Sequence, residues 1–141
     1  MEIRSEELER YGEPRRQEGC PFCDAGFAAR AIDQEGGMLV VEDIYPVTAG
    51  HLLIVPVEHF TDFFEIPEDL RRVADQLLFK HRSRILAEDP SVTGFNVGMN
   101  CGESAGQTVM HSHIHLIPRR DGDTSRPRGG VRGCVPGRMG Y

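Results

Sequence analysis

Apolar and polar positions along the chain fall into a few regular runs separated by turn-forming residues. The longest covers residues 68–88, where Leu70, Val73, Ala74, Leu77, Leu78, His81 and Ile85 recur at steps of three and four while Arg71, Arg72, Asp75, Lys80 and Arg82 take the other side. That spacing predicts a long amphipathic helix. Pro67 and the acids Glu68 and Asp69 open it, as suits the positive end of a helix dipole. His81 falls on the buried stripe or its edge, where a hydrogen-bonded core-edge histidine accounts for it. Residues 26–32 read as a weak strand, 35–37 as a turn and 38–42 as a β-branched strand, together a hairpin. Residues 43–50 form a loop that feeds the apolar run 51–55, closed by Pro56 and consistent with a central strand. Residues 94–99 predict a further strand, 100–106 a glycine-containing loop, and 107–117 a last strand ended by Pro118. Residues 1–19 read as an N-terminal arm with a short helix around Ser5 to Tyr11, and no internal repeat is visible.

Length and composition narrow the class. At 141 residues, 39% hydrophobic and 27% charged, the chain (residues 1–141) reads as one globular domain with one core. No apolar run approaches the ~20 residues of a membrane helix, and the acidic start lacks a cationic, hydrophobic leader, so the expectation is a cytoplasmic protein with no membrane partner. A net charge of −6 argues against a nucleic-acid partner. Six Arg and two Asp nevertheless give the tail, residues 119–141, a local charge of +4, which leaves −10 on the first 118 residues. Of the four cysteines, Cys20 and Cys23 form a Cys-x-x-Cys pair, a spacing used for metal or redox chemistry, whereas Cys101 and Cys134 read as lone thiols.

The densest chemistry lies in residues 107–118. On a strand, the period of two sends His111, His113 and His115 to one face, about 7 Å apart. Met110, Ile114 and Leu116 then face the core beneath the helix, with Ser112 the small polar exception. A single metal shared by all three rings is disfavoured, because the first and third stand about 14 Å apart on a strand. The spacing fits a phosphate-sized target contacted by neighbouring imidazoles.

The run Gln107-Thr-Val-Met-His111-Ser-His113-Ile-His115-Leu-Ile117 resembles the signature of histidine triad (HIT) proteins, three histidines alternating with apolar residues and preceded by Gln and a hydroxyl residue. Asp43-Ile44-x-Pro46, Gly50-His51-Leu-Leu-Ile-Val-Pro56, His59 and Asn100 follow the family's order, so the resemblance covers roughly residues 20–120. Ser112 departs from it, standing where the family prefers an apolar residue. The resemblance implies an α+β fold, a mainly antiparallel five-stranded sheet with one long helix, in a homodimer. It also implies hydrolysis of a nucleotide at its α-phosphorus, with a dinucleoside polyphosphate or an adenosine phosphoramidate as substrate.

In that scheme His113 is the nucleophile and forms a covalent nucleotidyl-histidine, while His115 and His51 bind the non-bridging oxygens. Thr108 contacts the leaving group, and Gln107 and Asn100 are further neutral donors around the phosphate. Asp43 takes the ribose hydroxyls, although Asp also suits a turn before Pro46; Ile44 and Phe22 flank the base or simply pack. In the zinc-containing branch, Cys20, Cys23, His59 and His111 hold a structural zinc. The same resemblance leaves open a nucleotidyl transferase or phosphorylase, and a regulatory module that binds nucleotide with negligible turnover. The tail reads as a flexible surface extension; alternatively Arg126, Arg128 or Arg132 reaches the distal phosphates of a polyphosphate.

Overall fold

The structure is a computed structural model that describes residues 15–141. The helix expected around Ser5 to Tyr11 lies outside the described residues. Strands β1 (Asp33–Glu35), β2 (Met38–Glu42), β3 (Leu52–Pro56), β4 (Val92–Gly98) and β5 (Ile114–Arg120) make one sheet in the order β1-β2-β3-β5-β4. Every neighbouring pair is antiparallel. Between β1 and β2 the chain reverses over Gly36 and Gly37, with φ of 48° and 86°, the double positive φ that a two-residue hairpin turn with the right twist requires. Gly36 also passes under the helix, where an added Cβ would meet Val73 at 3.0 Å.

A four-residue helix, α1 (Ala25–Ala28), precedes the sheet, and the long helix α2 (Glu68–Glu88) occupies the residues predicted by their periodicity. Leu70, Ala74, Leu77 and Ile85 of α2 pack on Met38, Val40, Leu52, Ile54, Ile114 and Leu116, forming the main core on one face of the sheet. His81 is buried on the same stripe, with Asp33 Oδ2 at 2.8 Å from its Nε2 and Arg84 Nε donating to its Nδ1 at 3.2 Å. It docks the helix on β1. On the other face Leu39, Val41, Leu53 and Val55 pack on Phe27, with Phe22 against them. This two-sided coverage explains why β2 and β3 read as continuous apolar runs. Among the described residues no helix is long and apolar enough to cross a membrane.

Several expectations need correcting. Residues 26–32 are not a strand: the alanine-rich stretch forms α1, anchored by Phe27, and the first strand starts at Asp33. The last strand starts at Ile114, not residue 107, because Ser112 donates its N–H to the Phe60 carbonyl at 2.7 Å and pulls the preceding segment out of the sheet. Met110 therefore leaves the core and is 42% exposed. Pro118 does not end β5. β3 stops with Leu52 opposite Leu116, so beyond that point β5 needs no backbone donor on that side, and the strand runs on to Arg120 paired with β4 alone.

Candidate active site and metal centre

Cys20 and Cys23 lie in a tight turn before α1, with the Cys23 N–H bonded to the Cys20 carbonyl at 3.2 Å. His59 follows β3 and His111 precedes β5. The four ligand atoms lie within 4.8 Å of one another, although the residues span positions 20 to 111. The Nε2 of His111 stands 2.8 Å from the Pro56 carbonyl. A carbonyl only accepts, so Nε2 holds the proton and Nδ1 keeps its lone pair, 3.4 Å from Cys20 Sγ and 3.5 Å from Cys23 Sγ. His59 Nδ1 is 3.4 Å from Cys23 Sγ. A tetrahedron built on ordinary Zn–S and Zn–N bond lengths has S···N edges of about 3.6 Å. Burial pushes His111 down to about 4, which keeps it neutral, the form a metal needs. Both the donor set and its spacing fit a structural zinc.

His111 has thus left the row of imidazoles and is buried in the metal cluster. His113 and His115 stay together, ring centroids 5.3 Å apart, on the sheet face opposite α2. Register fixes that face: His115 pairs with Leu53, while its neighbours Ile114 and Leu116 belong to the core beneath α2. His113 Nδ1 lies 2.8 Å from the His111 carbonyl, so Nδ1 carries the proton and Nε2 is the bare nitrogen. Phe22 meets the His113 ring edge-on at 5.3 Å.

The protons behind His115 are ordered in the same way. Val47 N–H donates to His51 Nδ1 at 3.0 Å, which places the His51 proton on Nε2. That nitrogen stands 2.9 Å from His115 Nδ1, so His51 donates and His115 accepts. The outer nitrogen of His115 is therefore an N–H donor. Burial pushes His115 down to about 4 and lowers His51, so both rings stay neutral near pH 7. Asp43 Oδ2, 3.5 Å from His51 Nε2, completes a group of three donors close enough to hold a metal. A metal on His51 Nε2 would force its proton onto Nδ1, against the Val47 N–H. The group is a hydrogen-bond array.

A cavity of about 310 Å³ opens in front of these rings. His113, His115, Thr108, Asn100, Phe22, Asp43 and Ile44 all line it, so seven of the expected residues share one space. Asp43 serves its turn as well, with Oδ1 accepting the Tyr45 N–H at 2.8 Å. Gln107 is buried and absent from the cavity lining. Its amide donates to the carbonyls of Thr61 and Val109 and accepts from the Gly102 N–H at 2.8 Å, so it shapes the loop that presents Thr108. Sequence reasoning missed Phe27 and Arg30, which also line it. Both sit in the stretch misread as a strand; Phe27, an isolated aromatic among alanines, was the available signal.

The tail does not simply extend from the surface. Gly130–Cys134 forms a 3-10 turn, and Gly130, Val131 and Cys134 help enclose a second cavity of about 360 Å³. That cavity shares Asn100 and His115 with the first and includes His51. Arg128 and Arg132 both face the ring of Tyr141, at 5.6 and 5.3 Å from its centroid.

With this geometry in view, the class of the chain is plain: it belongs to the HIT domain family, which residues 28–122 match. It is 36% identical over 108 residues to an uncharacterized HIT-like protein of Mycobacterium tuberculosis, spanning 74% of each chain. A crystal structure of a Zn-bound histidine triad family protein from Mycobacterium smegmatis superposes with a TM-score of 0.66 at 33% identity, covering 75% of this chain and 78% of that one. The AP-4-A phosphorylase of Mycobacterium tuberculosis is 35% identical over 102 residues, which is 66% of this chain and 51% of that protein. Family members bind nucleotides and are generally nucleotide hydrolases or transferases.

Proposed function

We propose that the protein hydrolyses nucleotides at the α-phosphorus through a covalent intermediate on His113. The observation that carries this reading is the proton order around that ring: Nδ1–H on the His111 carbonyl and Nε2 bare, in a cavity lined also by the His115 ring and by apolar Phe22 and Ile44. Nε2 attacks phosphorus in line with the leaving group; the P–N bond forms as the phosphoanhydride or P–N bond of the substrate breaks, its electron pair going to the leaving group. Thr108 lines the same cavity and hydrogen-bonds that group as it takes a proton from solvent. His115 donates through its outer N–H to a non-bridging oxygen, where charge builds. Because His113 keeps its Nδ1 proton, the nucleotidyl ring is cationic, and the His111 carbonyl stabilises it. Water then attacks phosphorus, the P–N bond breaks, its electron pair returns to Nε2, and the water's proton leaves.

Asp43 Oδ2 accepts from the ribose hydroxyls, and Phe22 and Ile44 pack on the base. Zinc held by Cys20, Cys23, His59 and His111 supplies structure, since four protein ligands leave no position for a reacting water. The similarity to an AP-4-A phosphorylase supports a second reading, in which inorganic phosphate replaces water as the acceptor. We place the protein in the cytoplasm as a homodimer, in keeping with four free cysteines and with the family resemblance. A panel of dinucleoside polyphosphates and nucleoside phosphoramidates, run with and without phosphate, tests both readings: nucleoside monophosphate in either condition supports hydrolysis, and diphosphate formed only with phosphate supports phosphorolysis. His113→Ala should abolish turnover and retain nucleotide binding; wild-type turnover in that variant refutes the mechanism.

A further inference from the structure

We propose that Arg30 reads the edge of the base and makes the site prefer nucleotides of 6-oxopurines, guanine and hypoxanthine, over adenine. This deepens the nucleotide reading above and rests on it. A series of ring contacts links the nucleophile to this cation. His113 meets Phe22 at 5.3 Å, Phe22 stacks on Phe27 at 4.4 Å, and the Arg30 guanidinium lies over Phe27 at 5.2 Å. Arg30 lines the same cavity as His113, Phe22 and Asp43 and is joined to the nucleophile only through two intervening rings, so a base lying along the Phe22 wall can present its edge to the cation. Arg30 is also held in place: Nη2 donates to the Glu42 carbonyl at 2.9 Å, one residue before Asp43. Neither of these partners neutralises its charge.

The chemistry of the edge follows. A guanidinium offers five N–H donors in a fixed fork and no acceptor, and it stays charged at any working pH. One donor is engaged by Glu42; those that remain suit a pair of acceptors. Guanine and hypoxanthine present O6 and N7 side by side, whereas adenine places an amino donor next to N7, and donor against donor repels. Pyrimidines lack the second ring and with it N7.

Isothermal titration of the full-length protein with AMP, GMP and IMP tests this, since monophosphates bind without turnover. Wild type should bind GMP and IMP about tenfold more tightly than AMP, the lower end of what one bidentate contact discriminates. Arg30→Ala should bring the three within about twofold of one another, with the loss falling on GMP and IMP and with an unchanged melting temperature. Equal affinities in wild type overturn the inference, as does a loss shared equally by all three, which would mean flat stacking of the guanidinium on any base. IMP behaving like AMP would move recognition to the guanine amino group and overturn it too. The underlying nucleotide reading is judged separately by Asp43→Ala: if that variant weakens all three while wild type shows no preference, only the base inference falls. If wild type binds none, both fall.

Discussion

His51→Leu isolates the proton order behind His115. The substitution keeps much of the ring's bulk and removes both nitrogens, so the Val47 N–H and His115 Nδ1 lose partners that stood at 3.0 and 2.9 Å. Each buried polar group left unpaired costs about 1–3 kcal/mol, and the surface position of Val47 lets its amide reach water, so the sum is about 2–3 kcal/mol. For a chain of this size that lowers the melting temperature by roughly 6–15 °C. Chemistry suffers separately. Without His51 to place the proton, His115 populates the tautomer whose outer nitrogen is bare and repels the phosphate oxygens. Removing an oxyanion donor outright costs about 100- to 1,000-fold, so partial loss should lower kcat about 10- to 100-fold. His51→Gln supplies an acceptor for Val47 and a donor for His115 and should recover most of both effects. Calorimetry and steady-state hydrolysis of a nucleoside phosphoramidate measure the two. If the Leu variant keeps wild-type kcat, or the Gln variant is no better than Leu, the proton-order reasoning is wrong.

Protein purified without chelator should carry one zinc per chain by metal analysis; Cys20→Ser should lose it and melt roughly 10 °C lower, and well under half an equivalent in wild type would contradict the site. Acid should destabilise the fold through His115: its ordinary value of 6.5 falls to about 4 on folding, so between these the unfolded chain binds the extra proton and stability drops as pH falls from 6.5 through 4. Allowing for partial exposure, the loss is about 2 kcal/mol, read as the difference in denaturant midpoints between wild type and His115→Asn across that range; parallel curves would count against it. Asp33→Ala leaves the buried His81 Nε2 without its partner at 2.8 Å and should cost about 2 kcal/mol with hydrolysis unaffected. An unchanged melt would show that His81 is held otherwise.

Helix α2 and strands β2 and β3 were legible because local periodicity and apolar runs are consequences of which faces are buried, and those faces span whole elements. The triad histidines were legible as a spacing, but their fates were not. His111 turns into the metal cluster and His113 stays in the cavity because Ser112 is tied to Phe60, a contact across some fifty residues that no local pattern announces. Gln107 shows the same limit: its type fits a phosphate donor, yet three backbone groups occupy its amide. Pro118 misled because its effect depends on whether a neighbouring strand is still present, and β3 has already ended. Arg30 escaped notice because a cation's role is set by what it lies over, here Phe27, and that requires α1 to be seen as helix.

The segment bearing Phe22 and Phe27 supplies one wall of the cavity before His113 and two ligands of the metal cluster, and among the described residues its backbone bonds to the sheet and its loops at its two ends, where Arg15 also donates its N–H to Glu58 at 3.3 Å. Arg15 accepts from the His59 N–H at 2.7 Å, and Ile32 donates to the Val40 carbonyl at 2.8 Å. Its other hold on the sheet is apolar, Phe27 with Phe22, Ala28 and Ala31 against Leu39, Val41, Leu53 and Val55. Were this segment to lift as a unit, metal ligands and cavity wall would separate together. Zinc and nucleotide then stabilise the same closed state and are thermodynamically linked: each tightens the other's binding by an equal factor. On the proposed function, a nucleotide in the cavity should then slow extraction of the metal by a chelator.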